Sequence, residues 1–332
     1  MDRGRKPRQA RRMKKAVVTG GAGFIGSNLA EELANMGYEV VILDNLSTGN
    51  INNLSNLLKK RHVKFVKGSV TDFEMLKSIF KDADYVFHHA AIPSVSASIE
   101  EPAQTNEVNV LGTLNVLLAA KECGVEKVIY ASSSAVYGDS PNIPKKESMN
   151  PHPKSPYAVS KLAAEYYCNV FYEVYELKTI SLRYFNVYGP RQDPFSEYSA
   201  VIPRFIMRVL RGKPPIIYGD GTQTRDFVFV KDVVNANILA AESNATGIFN
   251  IGSGRSISVN ELAYKIMDMI GNDTVAEPIY EKPRKGDIKH SSADITKAKR
   301  ELGYRPEYDI EAGLNETIKY FSRLLHPTKV RE

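Results

Sequence analysis

Tyr157 and Lys161, in Tyr157-Ala158-Val159-Ser160-Lys161, are four residues apart, which on a helix puts them on one face, a turn from each other. A phenol titrates near pH ~10, so it is a poor base at neutrality unless a fixed positive charge stabilises its anion. A lysine ammonium one turn away is such a charge. The pair therefore has the makings of a general base. It is equally compatible with an amphipathic helix carrying a surface Tyr and Lys, and the spacing alone does not separate the two. The rest of the chain does.

Ala16-Val17-Val18-Thr19 is a short apolar strand, followed by Gly20-Gly21-Ala22-Gly23-Phe24-Ile25-Gly26 and a helix-like run to about Met36. A glycine loop between strand and helix lets backbone amides approach a pyrophosphate at the positive end of the helix dipole. The spacing is GxxGxxG rather than GxGxxG. A second apolar run from Tyr38 to Leu43 ends in Asp44, at the distance where an acidic residue hydrogen-bonds an adenosine ribose. A carboxylate there repels a 2′-phosphate, which favours NAD over NADP. An oxidised nicotinamide would add a second cation beside Tyr157. Without Asp44, a tight turn holding no ligand would explain the glycines as well.

At 332 residues and 43% hydrophobic content the chain can build one large α/β domain with a smaller lobe. No apolar stretch approaches the roughly 18–20 residues of a membrane span, and no signal peptide is visible. Cys123 and Cys168 are isolated, and the six histidines show no ligand spacing, so neither a disulfide framework nor a metal site is supported. These features point to a cytoplasmic, metal-free protein. The net charge of +6 misleads: residues 1–15 hold eight Lys or Arg against Asp2, and the remaining 317 sum to −1. The body has no basic stripe suited to nucleic acid. The tail reads as a solvated extension, or as an upstream start with Met13 a second candidate; non-specific contact with RNA or an anionic surface is the other reading.

Strand and helix patterns alternate along the chain. Val63–Val66 reads as a strand, Glu74–Phe80 as a helix and Tyr85–His88 as a strand. Ala103–Cys123 reads as one long helix, Lys127–Ala131 as a strand, then the Tyr157 helix to about Glu176 and a short strand at Thr179–Arg183. Such alternation implies a Rossmann-like, doubly wound parallel sheet, an α/β fold with a smaller carboxyl-terminal substrate-binding lobe. The expected division is a tail at 1–13, a dinucleotide-binding domain at 14–188, a lobe at 189–325 and a tail at 326–332. Some segments of the lobe are free to return to the main sheet.

The chain resembles the extended short-chain dehydrogenases/reductases, and is most similar to their nucleotide-sugar 4-epimerases of the UDP-glucose and UDP-N-acetylglucosamine type. The resemblance runs from about Lys14 to Phe321. It rests on TGGAGFIGS (Thr19–Ser27), His88-His89-Ala90-Ala91, SSSAVYG (Ser132–Gly138), YAVSK, RYFNVYGPR (Arg183–Arg191), TRDFVFVKDV (Thr224–Val233) and PRKGD (Pro283–Asp287), seven motifs in order.

By this resemblance Ser133, Tyr157 and Lys161 are the catalytic residues. Ser133 would bridge the sugar O4 and the Tyr157 phenol, and Lys161 would bind the nicotinamide ribose and lower the phenol's pKa. Gly20, Gly23, Phe24, Ile25 and Gly26 would cradle the NAD pyrophosphate. Asp44, Asn45, Ser47, Thr48 and Gly49 would surround the adenosine ribose, with Ser69 and Val70 at the adenine. Ala90, Ala91 and Asn109 would lie along the cofactor, and Tyr184 would close over the nicotinamide end. For Asn109, helix capping or solvation is the alternative. Asn186, Arg225 and Arg284 match the diphosphate positions, where a guanidinium fork suits phosphate oxygens; Arg225 pairing with Asp226 or Asp232 is the alternative. Tyr218 would pack on uracil, while Ser94, Ser134, Val201, Asp287 and Ser291 would complete the substrate contacts.

The implied reaction inverts C4 through a 4-keto sugar that turns about its diphosphate linkage. Related dehydratases and decarboxylases carry acids just after the catalytic Ser or Thr; here Ser134 and Ala135 stand there, which argues against dehydration. Seven residues after Arg284 comes Ser291, where the family alternates between Tyr and small residues. A small residue leaves room for an N-acetyl group, so UDP-GlcNAc/UDP-GalNAc is favoured unless Ser291 lies outside the pocket. UDP-glucose/UDP-galactose is the alternative, and UDP-glucuronate 4-epimerisation or another nucleotide-sugar oxidoreductase is more distant. Several positions depart from the pattern. Ser69 follows Gly68 where an acid is common, Pro93 replaces a cofactor-contacting Lys, and the Gly219–Arg225 loop is short, as in the compact bacterial and archaeal subgroup. Apolar residues on more than one face of the two long helices (Leu114, Leu117, Leu118, Tyr166, Tyr167, Phe171, Val174) match the family's four-helix homodimer interface, with burial in a monomer core as the alternative.

Overall fold

Seven near-continuous apolar segments become strands, because a parallel sheet covered on both faces buries every residue of such a run. The structure, a computed structural model, describes residues 12–195, 200–271, 277–283 and 289–325. The strands lie in the spatial order Gly247–Ile251, Lys178–Tyr184, Lys127–Ser133, Tyr85–His88, Lys15–Thr19, Glu39–Asp44, Val63–Lys67, all parallel. Val17 pairs with Val41 on one side and Val86 on the other, so the chain winds outward in both directions from the first strand. Between the carboxyl ends of Lys15–Thr19 and Tyr85–His88 lies the topological switch, where such folds leave a crevice.

Alternate residues of each strand face opposite layers. Val18 and Ile42 point toward Leu29, Leu33 and Ile238, beneath helices Phe24–Asn35 and Val230–Glu242. Val17 and Val41 point toward Leu76, Val116 and Ala164, beneath helices Phe73–Phe80, Gly112–Glu122 and Pro156–Tyr175. The helix bearing Tyr157 and Lys161 starts where Ser155 accepts the Ala158 amide at 3.2 Å and Pro156 takes the first turn.

The expected single helix over Ala103–Cys123 is interrupted. It comprises helix Pro102–Asn106, a π-turn at Glu107–Leu111 and helix Gly112–Glu122, and a short helix Val95–Glu100 precedes it. Strand Gly247–Ile251 and helix Val230–Glu242, both far along the chain, belong to the main sheet and its cover. Around a third core containing Phe205, Phe229, Leu262 and Phe321, helices Val201–Leu210, Val259–Ile270 and Ile310–Leu325 build the lobe. Its strands are short: Asn186–Tyr188 with Phe227–Phe229, Ile216–Tyr218 with Ile279–Glu281, and Thr224–Arg225 with Ile257–Ser258. Among the described residues no helix is long and apolar enough to cross a membrane.

Candidate active site

The glycine loop packs too closely for side chains. A Cβ on Gly26 would lie 2.3 Å from the Gly20 carbonyl oxygen, and Gly20 has φ +67° with its amide donating to the Leu43 carbonyl at 2.8 Å. Helix Phe24–Asn35 starts at Gly23 with no side-chain cap and no acid in its first turn, which leaves its amides for an anion. Asp44 ends its strand with one carboxylate oxygen accepting the Ala22 amide at 3.0 Å and the other the Leu46 amide at 2.8 Å. A Cβ on Gly49 would stand 2.7 Å from that carboxylate, so the loop at Gly49 closes directly over it. This cradle fits a dinucleotide: amides for a pyrophosphate, then a fixed anion where a 2′-phosphate would be repelled.

The rest of the expected cofactor set is more varied. Asn45 accepts the Ser47 amide at 3.0 Å, turning the chain so that Ser47 and Thr48 are exposed. The Ser69 hydroxyl is engaged locally, with Thr71 Oγ1 at 2.8 Å and the Thr71 amide at 3.2 Å, and Val70 is buried against Gly112. The Ala90 amide donates to Thr19 Oγ1 at 3.3 Å, and Ala91 is half-buried. Asn109 sits in the π-turn, where its Oδ1 accepts the Ile92 amide at 2.8 Å. Its Nδ2 donates to the Ile92 carbonyl at 3.1 Å and to Ser160 Oγ at 3.0 Å. All its polar capacity facing the fold is used to brace the loop after Ala91 against the Tyr157 helix. Neither capping nor solvation describes it. Tyr184 is likewise tied down: its hydroxyl meets Asn237 Oδ1 at 3.0 Å and His89 Nε2 at 3.1 Å.

Ser133 ends strand Lys127–Ser133 directly opposite Tyr184 in register, and its Oγ accepts the Ala135 amide at 3.1 Å, opening the short turn Ser134–Tyr137. The Tyr157 amide donates to Ser98 Oγ at 3.0 Å. Burial pushes the Tyr157 phenol up, and its hydrogen bond with Ser133 pulls it back. Lys161 is buried, with Nζ donating to the Ala131 carbonyl at 3.0 Å and standing 5.9 Å from the Tyr157 ring centroid. The Lys161 ammonium thus reaches the end of strand Lys127–Ser133, while Ser133 opposes the rise of the phenol. Desolvation brings Lys161 down to about 8, with Glu165 opposing that fall.

Asn186, Val201, Tyr218 and Arg225 line one cavity of about 310 Å³ in the lobe. Arg204 and Gln223, which sequence reasoning missed, line it too. The Arg204 guanidinium stands 5.2 Å from the Tyr218 ring centroid and donates to its hydroxyl at 3.3 Å, while Gln223 Nε2 donates to the Tyr218 carbonyl at 2.8 Å. Arg204 is one turn beyond Val201 on the same helix, the only signal that could have found it. Asp226 is occupied by amides of Ser253, Gly254 and Ala293 and by the Ser253 hydroxyl, and Asp232 accepts the amides of Glu307 and Tyr308. Those bonds orient both carboxylates toward the backbone. Asn186 Nδ2 donates to the Asp226 carbonyl at 3.0 Å. Ser94 caps helix Val95–Glu100 by accepting the Ala97 amide at 3.0 Å. The Ser291 amide donates to the Thr224 carbonyl at 3.1 Å, beside the Arg225 strand. Arg284 and Asp287 lie outside the described residues.

Residues 16–252 match the model of the NAD dependent epimerase/dehydratase family. The chain belongs to that family. Its cofactor is NAD. A UDP-glucose 4-epimerase of Mycolicibacterium smegmatis is 40% identical over 311 residues, covering 92% of this chain and 98% of that one. The structure of the UDP-N-acetylglucosamine 4-epimerase from Methanobrevibacter ruminantium, complexed with UDP-N-acetylmuramic acid, is 46% identical with a TM-score of 0.89, covering 93% and 98%. That of the UDP-glucose 4-epimerase from Thermotoga maritima with UDP-glucose is 43% identical with a TM-score of 0.89, covering 94% and 99%. Among the described residues of this family member, no group of three or more His, Cys, Asp or Glu could hold a metal.

Proposed function

We propose that this protein is a UDP-sugar 4-epimerase, with UDP-GlcNAc/UDP-GalNAc the favoured pair. The observation that carries the reading is the separation of two devices: Ser133, Tyr157 and Lys161 meet at the strand ends, while Asn186, Tyr218, Arg204 and Arg225 line a cavity in the lobe. Such an arrangement holds the nucleotide firmly and leaves the sugar free to turn. NAD, held by the cradle around Gly20, Gly26 and Asp44, would supply a hydride acceptor and donor for C4. Tyr157 takes the O4 proton and gives it back, Ser133 holds O4 and the phenol in one line, and Lys161 supplies positive charge beside them. Arg225 and Asn186 grip the diphosphate. Ser134 and Ala135, which open the turn after Ser133, offer no acid to expel water. The relatives named for UDP-glucose make UDP-glucose/UDP-galactose the second reading.

Incubation with UDP-GlcNAc and with UDP-glucose separately, followed by chromatography, tests this without added cofactor. A 4-epimer from either is expected. No 4-epimer from either, with Tyr157→Phe indistinguishable from wild type, would remove the reading.

The reading includes a homodimer. Val159 (52% exposed), Tyr166 (58%), Val170 and Val174 (62%) form one stripe opposite the face of their helix that packs on the sheet, and Leu111 is exposed on the neighbouring helical segment. A second copy presenting the same stripe would bury both as a four-helix layer. Light scattering of wild type and Val170→Glu decides it, the variant being expected to run as a monomer.

A further inference from the structure

Glu165, one turn beyond Lys161, is only 1% exposed. Its two oxygens take a bidentate grip from Arg183, Nε to Oε1 at 2.9 Å and Nη2 to Oε2 at 2.7 Å, and the Ser132 hydroxyl also donates to Oε1. Arg183 lies 4.7 Å from the Tyr137 ring centroid, and Tyr137 donates to Asn250 Oδ1 at 2.7 Å. Ser132 and Arg183 are opposite each other in register, and the next pair is Ser133 with Tyr184. One carboxylate therefore joins the helix of Tyr157 to the two strand ends that close the reaction centre.

A buried ion pair is costly to desolvate and is weak grounds for a stabilising role. The charges around Lys161 suggest another. Tyr157, Glu165 and Cys168 face it from its own helix, Tyr130 from strand Lys127–Ser133 with its ring centroid 5.1 Å from Nζ, and His88 and His89 from the end of strand Tyr85–His88. Arg183 stands behind Glu165. Burial keeps the tyrosines and Cys168 protonated and both histidines neutral. Glu165 is thus the single anion facing Lys161 among the described residues. We propose that Glu165 is a positioning residue for the reaction: it is the buried counter-charge that keeps Lys161 an ammonium, and through Arg183 and Ser132 it registers the strand ends bearing Ser133 and Tyr184 under Tyr157. The effect on turnover rests on the epimerase reading; the effect on Lys161 does not.

Glu165 opposes the fall of the Lys161 pKa, so losing its charge lets the ammonium deprotonate at lower pH. The reactive form carries the ammonium, so the alkaline limb of kcat moves to lower pH. The test is the ¹³Cε shift of Lys161 in lysine-labelled, NAD-bound protein, assigned by its loss in Lys161→Met and titrated in wild type, Glu165→Gln and Glu165→Gln/Arg183→Met. The single variant strands a guanidinium in the interior; the double variant removes it, and thermal melting and NAD retention report whether each variant is folded. In both, the Lys161 midpoint is expected to fall by about one unit or more. Turnover in the alkaline range falls about tenfold with KM little changed, and recovers at lower pH. A folded, NAD-retaining double variant whose Lys161 titration and kcat profile overlay wild type would overturn the proposal. Failure of wild type to turn over any UDP-sugar would instead remove the epimerase reading, with the titration still answering for Glu165.

Discussion

The two ends of the crevice are built by opposite means. At the sheet end every contact involves the backbone: glycines with no room for a Cβ, amides on the Asp44 carboxylate, and strand ends in fixed parallel register. At the lobe end the cavity is walled by long side chains, Arg204, Tyr218, Gln223 and Arg225, carried on a helix and on strands of two or three residues. Backbone cradles give little and hold a shape, whereas long side chains can reset around what enters. The first suits a dinucleotide that stays, the second a nucleotide-sugar that arrives and leaves. On the proposed reading, the chemistry sits where the two meet.

Removing only that chemistry should have the largest effect. Tyr157→Phe is expected to lower kcat by about 10²–10⁴-fold while NAD retention and KM change little. A comparable rise in KM would mean that the phenol grips substrate and that the two ends are not separable. Next comes the cradle. Gly26→Ala puts a Cβ 2.3 Å from a carbonyl oxygen that has no free rotation, so the loop must open. Loss of copurifying NAD and destabilisation of about 1–3 kcal/mol by thermal melting are expected. Retained NAD with an unchanged melt would show that the sheet end yields as readily as the lobe. Then the lobe: Arg225→Met should raise KM for the UDP-sugar by about 10–100-fold, with NAD content and the melt near wild type. A loss of NAD there would undo the comparison from the other side.

The same division governs what could be read from the chain. The strands of the sheet announce themselves as apolar runs, and the glycine loop, Asp44 and the Tyr157–Lys161 pair are local patterns whose meaning does not depend on distant residues. Glu165 was within reach on the same reasoning, four residues beyond Lys161, but its partner Arg183 reaches it only when strand and helix pack. Strand Gly247–Ile251 completes the sheet from the far end of the sequence, and no local signal separates it from the short strands of the lobe. Gln223 enters the cavity by tertiary placement, and Arg204 was signalled only by its place one turn beyond Val201. Several of the expected contact residues already have hydrogen-bond partners within the fold. Ser94 caps a helix, Ser69 closes a turn, and Asn109 spends its amide on Ile92 and Ser160 because a π-turn rotates it inward.

The smallest effect contrasts a buried lysine of the sheet with an exposed lysine of the lobe. The lobe pairs Lys265 with Glu311 in the open, at 38% and 64% exposure. Lys127, buried at the start of its strand, donates to the Ala240 carbonyl at 3.1 Å and to the Ser243 carbonyl, at the end of helix Val230–Glu242. Burial above all brings it down from 10.5 to about 8. Its folded pKa is therefore depressed below the unfolded one, and between about 8 and 10.5 the unfolded chain holds more of this proton, so this group's contribution to stability rises with pH. Below that window the cost of a buried ammonium is present in full. Melting of wild type against Lys127→Met should show a constant offset from the lost carbonyl bonds plus a drift in favour of wild type, on the order of 1 kcal/mol, as pH rises through the window. Lys265→Met should show no such drift, because the Lys265 pKa is raised by Glu311 and its ammonium persists there. Equal slopes for the two variants would mean that water reaches Lys127 as freely as it reaches Lys265, and the contrast between a closed sheet and an adaptable lobe would lose its electrostatic half.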